Sequence, residues 1–334
     1  MRARRDLVIT LMLVFGVGSL AMALANVSPL AGFGALFDGA FGTREEFAET
    51  LVQTTNLLFP ALGIAVAFRA GLFNIGAEGQ LILGGFVAGW LGAQFPLPPV
   101  LALPMVLLAG ALAGAFWGAI PGFLRARFGA NEVIATLMLN VIAVLLATYL
   151  VGGPLAQAAG GAQETGPLPH AAQLPDLVPD SRLTWAFIIA LALAALLRWV
   201  LAATVFGYEL RAAGEAPEAA LRAGIDLRRS ALVAMTLSGA IAGLGGATIV
   251  AGMLHRFNIG LSPGYGFIGI AVALVGNLDP LWIVVASLAF GMLQSGGIAM
   301  QAEAGVPREV VSLIEGLVIL ALAGRRIVAR GRTT

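Results

Sequence analysis

The chain has 334 residues, of which 59% are hydrophobic and 11% are charged, and its formal net charge is +1. Soluble domains carry about 25% charged residues, so this composition and the mean hydropathy of +0.93 exclude an ordinary soluble protein. They indicate an all-α, polytopic membrane protein whose lipid-facing surface is itself apolar. The absence of cysteine excludes disulfides and zinc–thiolate sites. The absence of lysine excludes a P-loop ATPase, so ATP-driven work would need a partner chain.

Ten apolar stretches predict about ten membrane spans, since a spanning helix needs about 20 mainly apolar residues. The first could instead be a signal peptide, because Arg2–Arg5 precedes it and Ala23-Leu24-Ala25, near its end, resembles a small-residue cleavage site. Its apolar run is long for that, and we expect a retained helix. The eighth is short and could be a re-entrant element. The predicted spans are Leu7–Asn26, Leu51–Phe68, Phe73–Gln94, Val100–Phe123, Glu132–Val151, Leu183–Val205, Ser230–Met253, Gly264–Val275, Pro280–Met300 and Val310–Ala323.

The arginines support this topology. With the N-terminus inside and ten crossings, only four arginines fall outside (Arg44, Arg182, Arg256 and Arg308), and the other 15 of the 19 fall inside. Such an excess is the positive-inside pattern. It predicts cytoplasmic N- and C-termini. The polar stretches 28–49 and 152–182 are then periplasmic loops, and the stretch 206–229 is a cytoplasmic loop.

The start of the third span combines polar residues with glycines. Asn74, Glu78 and Gln80 lie at or just inside the membrane, where a carboxylate is costly, and three glycines fall within nine residues of the segment Gly71–Gln80. A broken helix that lines a polar cavity would explain both features. The alternative is an interfacial carboxylate among glycines that only permit close packing.

Part of this segment occurs twice. Phe257-Asn258-Ile259-Gly260 repeats Phe73-Asn74-Ile75-Gly76, and glycines and an apolar run follow each copy. In the predicted topology the two copies enter the membrane from opposite sides. This arrangement is expected of an inverted repeat with a pathway between its halves, and it adds Asn258 to the candidate pathway residues.

The fifth span begins at Glu132 after Asn131, a residue suited to capping the helix. Asn140 lies about two turns deeper and needs a partner in the protein or the substrate; interhelical hydrogen bonding is the simpler interpretation. Small residues at four-residue spacing predict close helix packing rather than chemistry. These glycines are Gly110, Gly114, Gly118 and Gly122 in the fourth span and Gly239 and Gly243 in the seventh.

The stretch Gly207–Asp226 carries both signs of charge around an alanine-rich middle. Pro217 suits the first turn of a short helix and Gly224 its end. Such a helix could dock into a groove on a soluble partner, or it could be an ordinary interfacial helix. The candidate docking residues are Arg211, Glu215, Ala216, Glu218, Arg222 and Gly224. His170 and His255 show no metal-ligand spacing, and we expect no metal site.

Four blocks resemble the permease subunits of nucleoside and simple-sugar ABC importers, relatives of the ribose and branched-chain amino acid permeases. Asn74–Gln80 is similar to the signature of the nucleoside-like branch, and Gly129–Asn140 to a second block of the wider family. Gly207–Asp226 resembles its cytoplasmic coupling loop, and Gly264–Leu274 a third block. The resemblance covers about residues 50–325 and implies a single transmembrane permease domain over residues 1–334.

The resemblance also implies partners. They are a second, similar permease subunit, an ATPase with two nucleotide sites that docks on the coupling loop around Glu215–Gly224, and a periplasmic binding protein that delivers the substrate. ATP and magnesium would bind the ATPase, and the permease itself would hold no cofactor, catalyse no reaction and contact no nucleic acid. The protein would lie in the inner membrane. The expected substrate is a nucleoside, with a monosaccharide as the second choice.

Two other classes remain open on the residues alone. An ion-coupled secondary transporter would need paired intramembrane carboxylates, and only Glu78, Glu132 and Glu315 are available, the last two near span ends. An intramembrane hydrolase would need a base beside Ser238 or Ser295, but no histidine lies in a predicted span.

Overall fold

The computed structural model describes residues 12, 15–95, 98–156 and 163–318, and all the long elements in those ranges are helices. A 3₁₀ turn at His170–Ala172 and a π-helical turn at Val250–Leu254 complete the regular structure described there. The helices are α1 Phe15–Leu24, α2 Pro29–Phe41, α3 Arg44–Arg69, α4 Ala77–Gln94, α5 Pro99–Phe128, α6 Glu132–Gly152, α7 Ala186–Ala203, α8 Val205–Glu215, α9 Pro217–Arg222, α10 Leu227–Ile249, α11 Tyr265–Val275, α12 Pro280–Ala302 and α13 at residues 308–318.

Six described helices are long and apolar enough to cross a membrane: α3, α5, α6, α7, α10 with its π-helical turn, and α12. The pair α1 and α2 would make a seventh if it counts as one span bent by 117°. The prediction of about ten spans is therefore supported for six, and the remaining spans stay a prediction. The beginning of the first predicted span, the end of the last one and the arginines at 325–332 lie outside the described residues.

The stretch 28–49 is helical, although the sequence predicted a polar loop. Pro29 occupies the first turn of α2. Thr43 and Glu46 form a capping box before α3: the Thr43 amide donates to Glu46 Oε2 at 2.6 Å, and the Glu46 amide donates to Thr43 Oγ1 at 3.2 Å. This reciprocal pair starts α3 seven residues before the predicted span, because capping and not hydropathy sets where a helix begins.

The described chain divides into two compact units, residues 1–54 with 288–334 and residues 55–287. The first unit has an apolar core of Met22, Met300, Val306, Val311 and Ile314. In that unit, Ser295 Oγ also donates a hydrogen bond to the Gly39 carbonyl oxygen at 2.8 Å, which joins α12 to α2. The single permease domain over 1–334 stays a prediction.

The second unit is built on close contacts between α4, α5 and α10. A β-carbon on Gly114 of α5 would overlap the carbonyl oxygen of Gly239 of α10, and one on Gly118 would lie 2.5 Å from the Met235 carbonyl oxygen. A β-carbon on Gly84 of α4 would overlap the backbone of Gly243. The predicted packing role of the four-residue glycine spacing is confirmed, because these helices meet backbone to backbone.

The helix starts and ends that were predicted from neighbouring residues are also confirmed in the second unit. Asn131 Oδ1 accepts hydrogen bonds from the amides of Val133 and Ile134 at the start of α6. Pro217 occupies the first turn of α9, and Gly224 follows that helix with a φ of 83°. These predictions succeeded because a cap and a stop depend only on neighbouring residues.

Candidate functional site

The segment between α3 and α4 is not helical, and Asn74 organises it. Asn74 is fully buried. Its Oδ1 accepts from the Gly76 amide at 2.9 Å, and its Nδ2 donates to Gln80 Oε1 at 2.9 Å and to Ser238 Oγ of α10 at 2.7 Å. The side chain thus caps the entry to α4 and connects it to α10.

Asn140 of α6 forms hydrogen bonds with the backbone of the same region. Its Oδ1 accepts from the Gly79 amide at 2.8 Å, and its Nδ2 donates to the Ile75 carbonyl oxygen at 2.8 Å. A β-carbon on Gly79 would lie 2.9 Å from Asn140 Oδ1, so the glycine allows this approach. Interhelical bonding was the simpler interpretation of Asn140, and it is confirmed.

A second non-helical segment, residues 255–264, precedes α11 and runs back along α4. The contacts fix its course: Phe257 packs on Gly89, Leu261 on Gly85, and Gly266 on the backbone of Glu78. With 11 residues at 1.5 Å each, α11 is about 16 Å long, roughly half a bilayer core. Because Gly266 in its first turn contacts the Glu78 backbone, α11 begins beside the first turn of α4.

Glu78 joins the two helix starts. It is 6% exposed. Its Oε2 accepts from the Gly266 amide at 2.7 Å, and its carboxyl group also shares a hydrogen bond with the Ser262 side chain. Ser262 Oγ in turn accepts from the amides of Gly264 and Tyr265 at 3.2 and 2.9 Å. Side chains from two segments, Glu78 of α4 and Ser262, thus accept hydrogen bonds from the backbone N–H groups at the start of α11.

The structure therefore brings together four of the five candidate pathway residues: Asn74, Glu78, Gln80 and Asn140. Asn258 lies apart from them, in the segment that packs toward the other end of α4. Its backbone pairs with Glu164, whose Oε1 accepts from Arg256 Nη1 at 2.7 Å. The long loop before α7 thus holds the second copy of the repeated motif.

Sequence reasoning missed a polar contribution from α3. Gln53, Thr54, Thr55 and Asn56 are all buried in this helix. The Nδ2 of Asn56 donates to the Tyr265 hydroxyl oxygen at 3.3 Å and lies 3.9 Å from Met253 Sδ in the π-helical turn. Four successive polar residues in an otherwise apolar span were a usable signal, since polar groups in membranes need partners.

The candidate docking residues lie on α8 and α9, at the junction between them and in the turn that follows. Glu215, Ala216, Glu218, Arg222 and Gly224 are exposed. Arg211 is half-buried, and its Nη1 donates to the Leu201 carbonyl oxygen of α7, so it is tied to its own chain. The structure thus separates Arg211 from the five exposed candidates.

The stretch Gly207–Asp226, called the docking stretch below, contacts the non-helical segment between α3 and α4. A β-carbon on Gly214 would lie 2.7 Å from the Gly71 amide nitrogen, and Gly71 has a φ of 75° that disfavours side chains. A cavity of about 620 Å³ adjoins this contact, with Arg125, Arg127 and Arg228 in its wall. In the described ranges no three His, Asp or Glu side chains form a group that could hold a metal ion.

Comparison with known proteins gives this architecture its family. Residues 47–323 match the family described as the branched-chain amino acid transport system permease component. The chain belongs to this family. The resemblance inferred from the sequence blocks is thereby confirmed, and the permease is a multi-pass membrane protein.

Three curated relatives cover nearly the whole permease. The guanosine ABC transporter permease protein NupP of Bacillus subtilis is 38% identical over 94% of this chain and 91% of its own length. The glucose ABC transporter permease protein TsgB13 of Haloferax volcanii is 36% identical over 94% and 86%. The nucleoside ABC transporter permease protein NupB of Lactococcus lactis is 34% identical over 98% and 93%.

Proposed function

We propose that this permease is the membrane subunit of an ATP-driven importer that moves a nucleoside or a related small polar solute into the cytoplasm. The observation that carries the proposal is its identity of 38% with a guanosine permease and 34% with a nucleoside permease, over at least 94% of the chain. A monosaccharide is the second candidate, favoured by the 36% identity with a glucose permease.

The substrate pathway in this proposal follows the two non-helical segments, 70–76 and 255–264. Unwound backbone is tolerated at membrane depth only where protein or a polar cavity surrounds it. Asn74, Glu78, Gln80 and Asn140 form the wall where α4 and α11 begin, and Asn258 contributes farther along α4. The buried Asn56 and Tyr265 extend this polar wall to α3.

The motor in this proposal is a separate ATPase with two nucleotide sites, which binds ATP and magnesium and docks on the exposed residues of α8 and α9. A second, similar permease subunit and a periplasmic binding protein complete the importer. The permease catalyses no reaction itself. It has about ten spans in the inner membrane, both termini are cytoplasmic, and the stretch 152–182 is periplasmic.

Uptake by the reconstituted importer tests the substrate. Proteoliposomes that hold both permeases and the ATPase, with binding protein on the periplasmic face and ATP on the other, should accumulate labelled guanosine or adenosine. Omission of ATP should abolish uptake. Accumulation of glucose alone would favour the second candidate, and uptake driven by an ion gradient without ATP would refute the proposal.

Exchange of single docking residues tests the coupling surface. Glu215→Ala or Arg222→Ala should lower ATP-driven uptake about tenfold, because each removes an exposed charge that the ATPase would contact. Binding of the loaded binding protein should not change. Glu303→Ala, an exposed carboxylate after α12, is the matched control and should retain full uptake. Normal uptake by both docking variants would contradict this assignment.

Labelling tests the orientation. Because the chain lacks cysteine, a single cysteine at the exposed Ala219 of α9 can be labelled without background. An impermeant maleimide should react only after intact cells are permeabilised. Reaction in intact cells would place the docking stretch outside and refute the coupling proposal.

A further inference from the structure

Helix α11 begins inside the second unit, where its first backbone donors have no preceding turn to bond them. An unpaired N–H costs several kcal/mol in an environment without water. Ser262 accepts from the amides of Gly264 and Tyr265. The next amide, that of Gly266, donates to Glu78 Oε2 at 2.7 Å. The acceptor for one of these three N–H donors therefore comes from a different helix, α4.

The approach of the two helices is closer than side chains allow. A β-carbon on Gly266 would lie 2.5 Å from Glu78 Cα and 2.8 Å from the Ala77 carbonyl carbon. The start of α11 thus rests directly on the first turn of α4. Because the two backbones are this close, the Glu78 side chain reaches the Gly266 amide of α11 while the Glu78 backbone stays in the first turn of α4.

The geometry assigns Glu78 a positioning role: its carboxyl group completes the N-terminal cap of α11 from α4, and this bond keeps the two helix starts together while substrate passes. The inference rests on the proposed transport function and refines it, because it makes Glu78 a support of the pathway wall and not a substrate ligand. One oxygen of the carboxyl group bonds Gly266, and the group also bonds the Ser262 side chain.

The arrangement has a counterpart at the start of α4. There the Gly79 amide donates to Asn140 Oδ1 of α6 at 2.8 Å, again from one helix to a side chain of another. Successive caps therefore connect α6 to α4 and α4 to α11. The acceptor oxygen of Glu78 also lies at the N-terminal end of α11, where the partial positive charge of the helix dipole favours an acceptor.

Transport kinetics of Glu78 variants test the role. Glu78→Gln keeps the shape and an acceptor oxygen, so its maximal uptake rate should stay within about threefold of the wild type. Glu78→Ala leaves the Gly266 amide without its acceptor, and its maximal rate should fall about tenfold or more while KM stays within about twofold. Ser262→Ala should fall between the two. Glu132→Ala is the matched control, since Glu132 is also a first-turn carboxylate but pairs with the exposed Arg125.

A ligand role predicts the opposite kinetics. If Glu78→Gln loses uptake as fully as Glu78→Ala, or if either variant raises KM tenfold at an unchanged maximal rate, the positioning role is wrong. Should Glu78→Ala fail to fold, Glu78→Gln and Ser262→Ala still decide between the roles.

A distance measurement tests the same inference without transport. Spin labels at Gln94→Cys on α4 and Leu274→Cys on α11, both exposed positions in a cysteine-free chain, should give one narrow distance distribution in the wild type and in Glu78→Gln. The distribution should broaden in Glu78→Ala and stay narrow in Glu132→Ala. An unchanged distribution in Glu78→Ala overturns the positioning role, whether or not the importer carries a nucleoside.

Discussion

The two copies of Phe-Asn-Ile-Gly have the same residues and different surroundings. In the first copy Phe73 is 53% exposed and Asn74 is fully buried; in the second Phe257 is fully buried and Asn258 is half-buried. The first copy leads directly into α4 at Ala77, whereas Ser262 and three further residues separate the second from α11. The position at which the next helix begins, and not the identity of the residues, therefore decides which side chain of the motif is buried. Each position of the motif can be tested by making the same substitution in both copies.

The phenylalanines should show the largest difference. Phe257 packs edge-on against Phe86, with ring centroids 5.4 Å apart, and on Gly89. Phe257→Ala should destabilise the fold by about 3–5 kcal/mol because it leaves a cavity, whereas Phe73→Ala should cost under about 1 kcal/mol. Thermal unfolding of the detergent-purified protein measures both. Equal shifts of the midpoint would show that the two copies are packed alike.

The asparagines should differ less, and in the opposite sense. Asn74→Ala removes the acceptor of the Gly76 amide and the partner of Ser238, at about 1–3 kcal/mol for the polar groups left unpaired. Asn258→Ala, at a half-buried position, should cost less than about 1 kcal/mol. Uptake should fall with Asn74→Ala because the entry to α4 loosens. A larger loss with Asn258→Ala in both assays would reverse the assignment of the copies.

The glycines should show the smallest difference. A β-carbon on Gly76 would lie 3.0 Å from Asn74 Oδ1 and 3.1 Å from Thr136 Cβ, whereas the nearest atom for Gly260 is at 3.5 Å, an ordinary contact. Gly76→Ala should therefore cost about 1 kcal/mol through overpacking, and Gly260→Ala should be neutral or slightly stabilising. The same unfolding assay would contradict this if Gly260→Ala were the more harmful variant.

The features that the sequence predicted well are those that depend on neighbouring residues or on regular spacing. The cap at Asn131, the start at Pro217 and the end at Gly224 need only local geometry. The close approach of Gly114 and Gly239 follows from small residues on one face of each helix. Hydropathy also located six helices that can span a membrane, because a spanning helix must satisfy its own backbone.

The features that the sequence could not give depend on partners distant in the chain. Glu78 and Gly266 are 188 residues apart, and Asn56 and Tyr265 are 209 apart. No local pattern states that the start of α11 lies against α4. Ser262 therefore belongs to no predicted site, and Tyr265 falls only within the family block Gly264–Leu274, with no role of its own. The repeated motif predicted an inverted repeat with a pathway between its halves, but identical residues could not show that Asn258 lies apart from the other pathway candidates.

The glycine contact between α5 and α10 restricts where this protein can bend. Two backbones that touch directly have no side-chain rotamers to exchange, so these helices can slide or tilt only by breaking the contact as a whole. We therefore expect any change of shape during transport to occur outside this contact, at the π-helical turn that follows α10 and at the two non-helical segments beside α4.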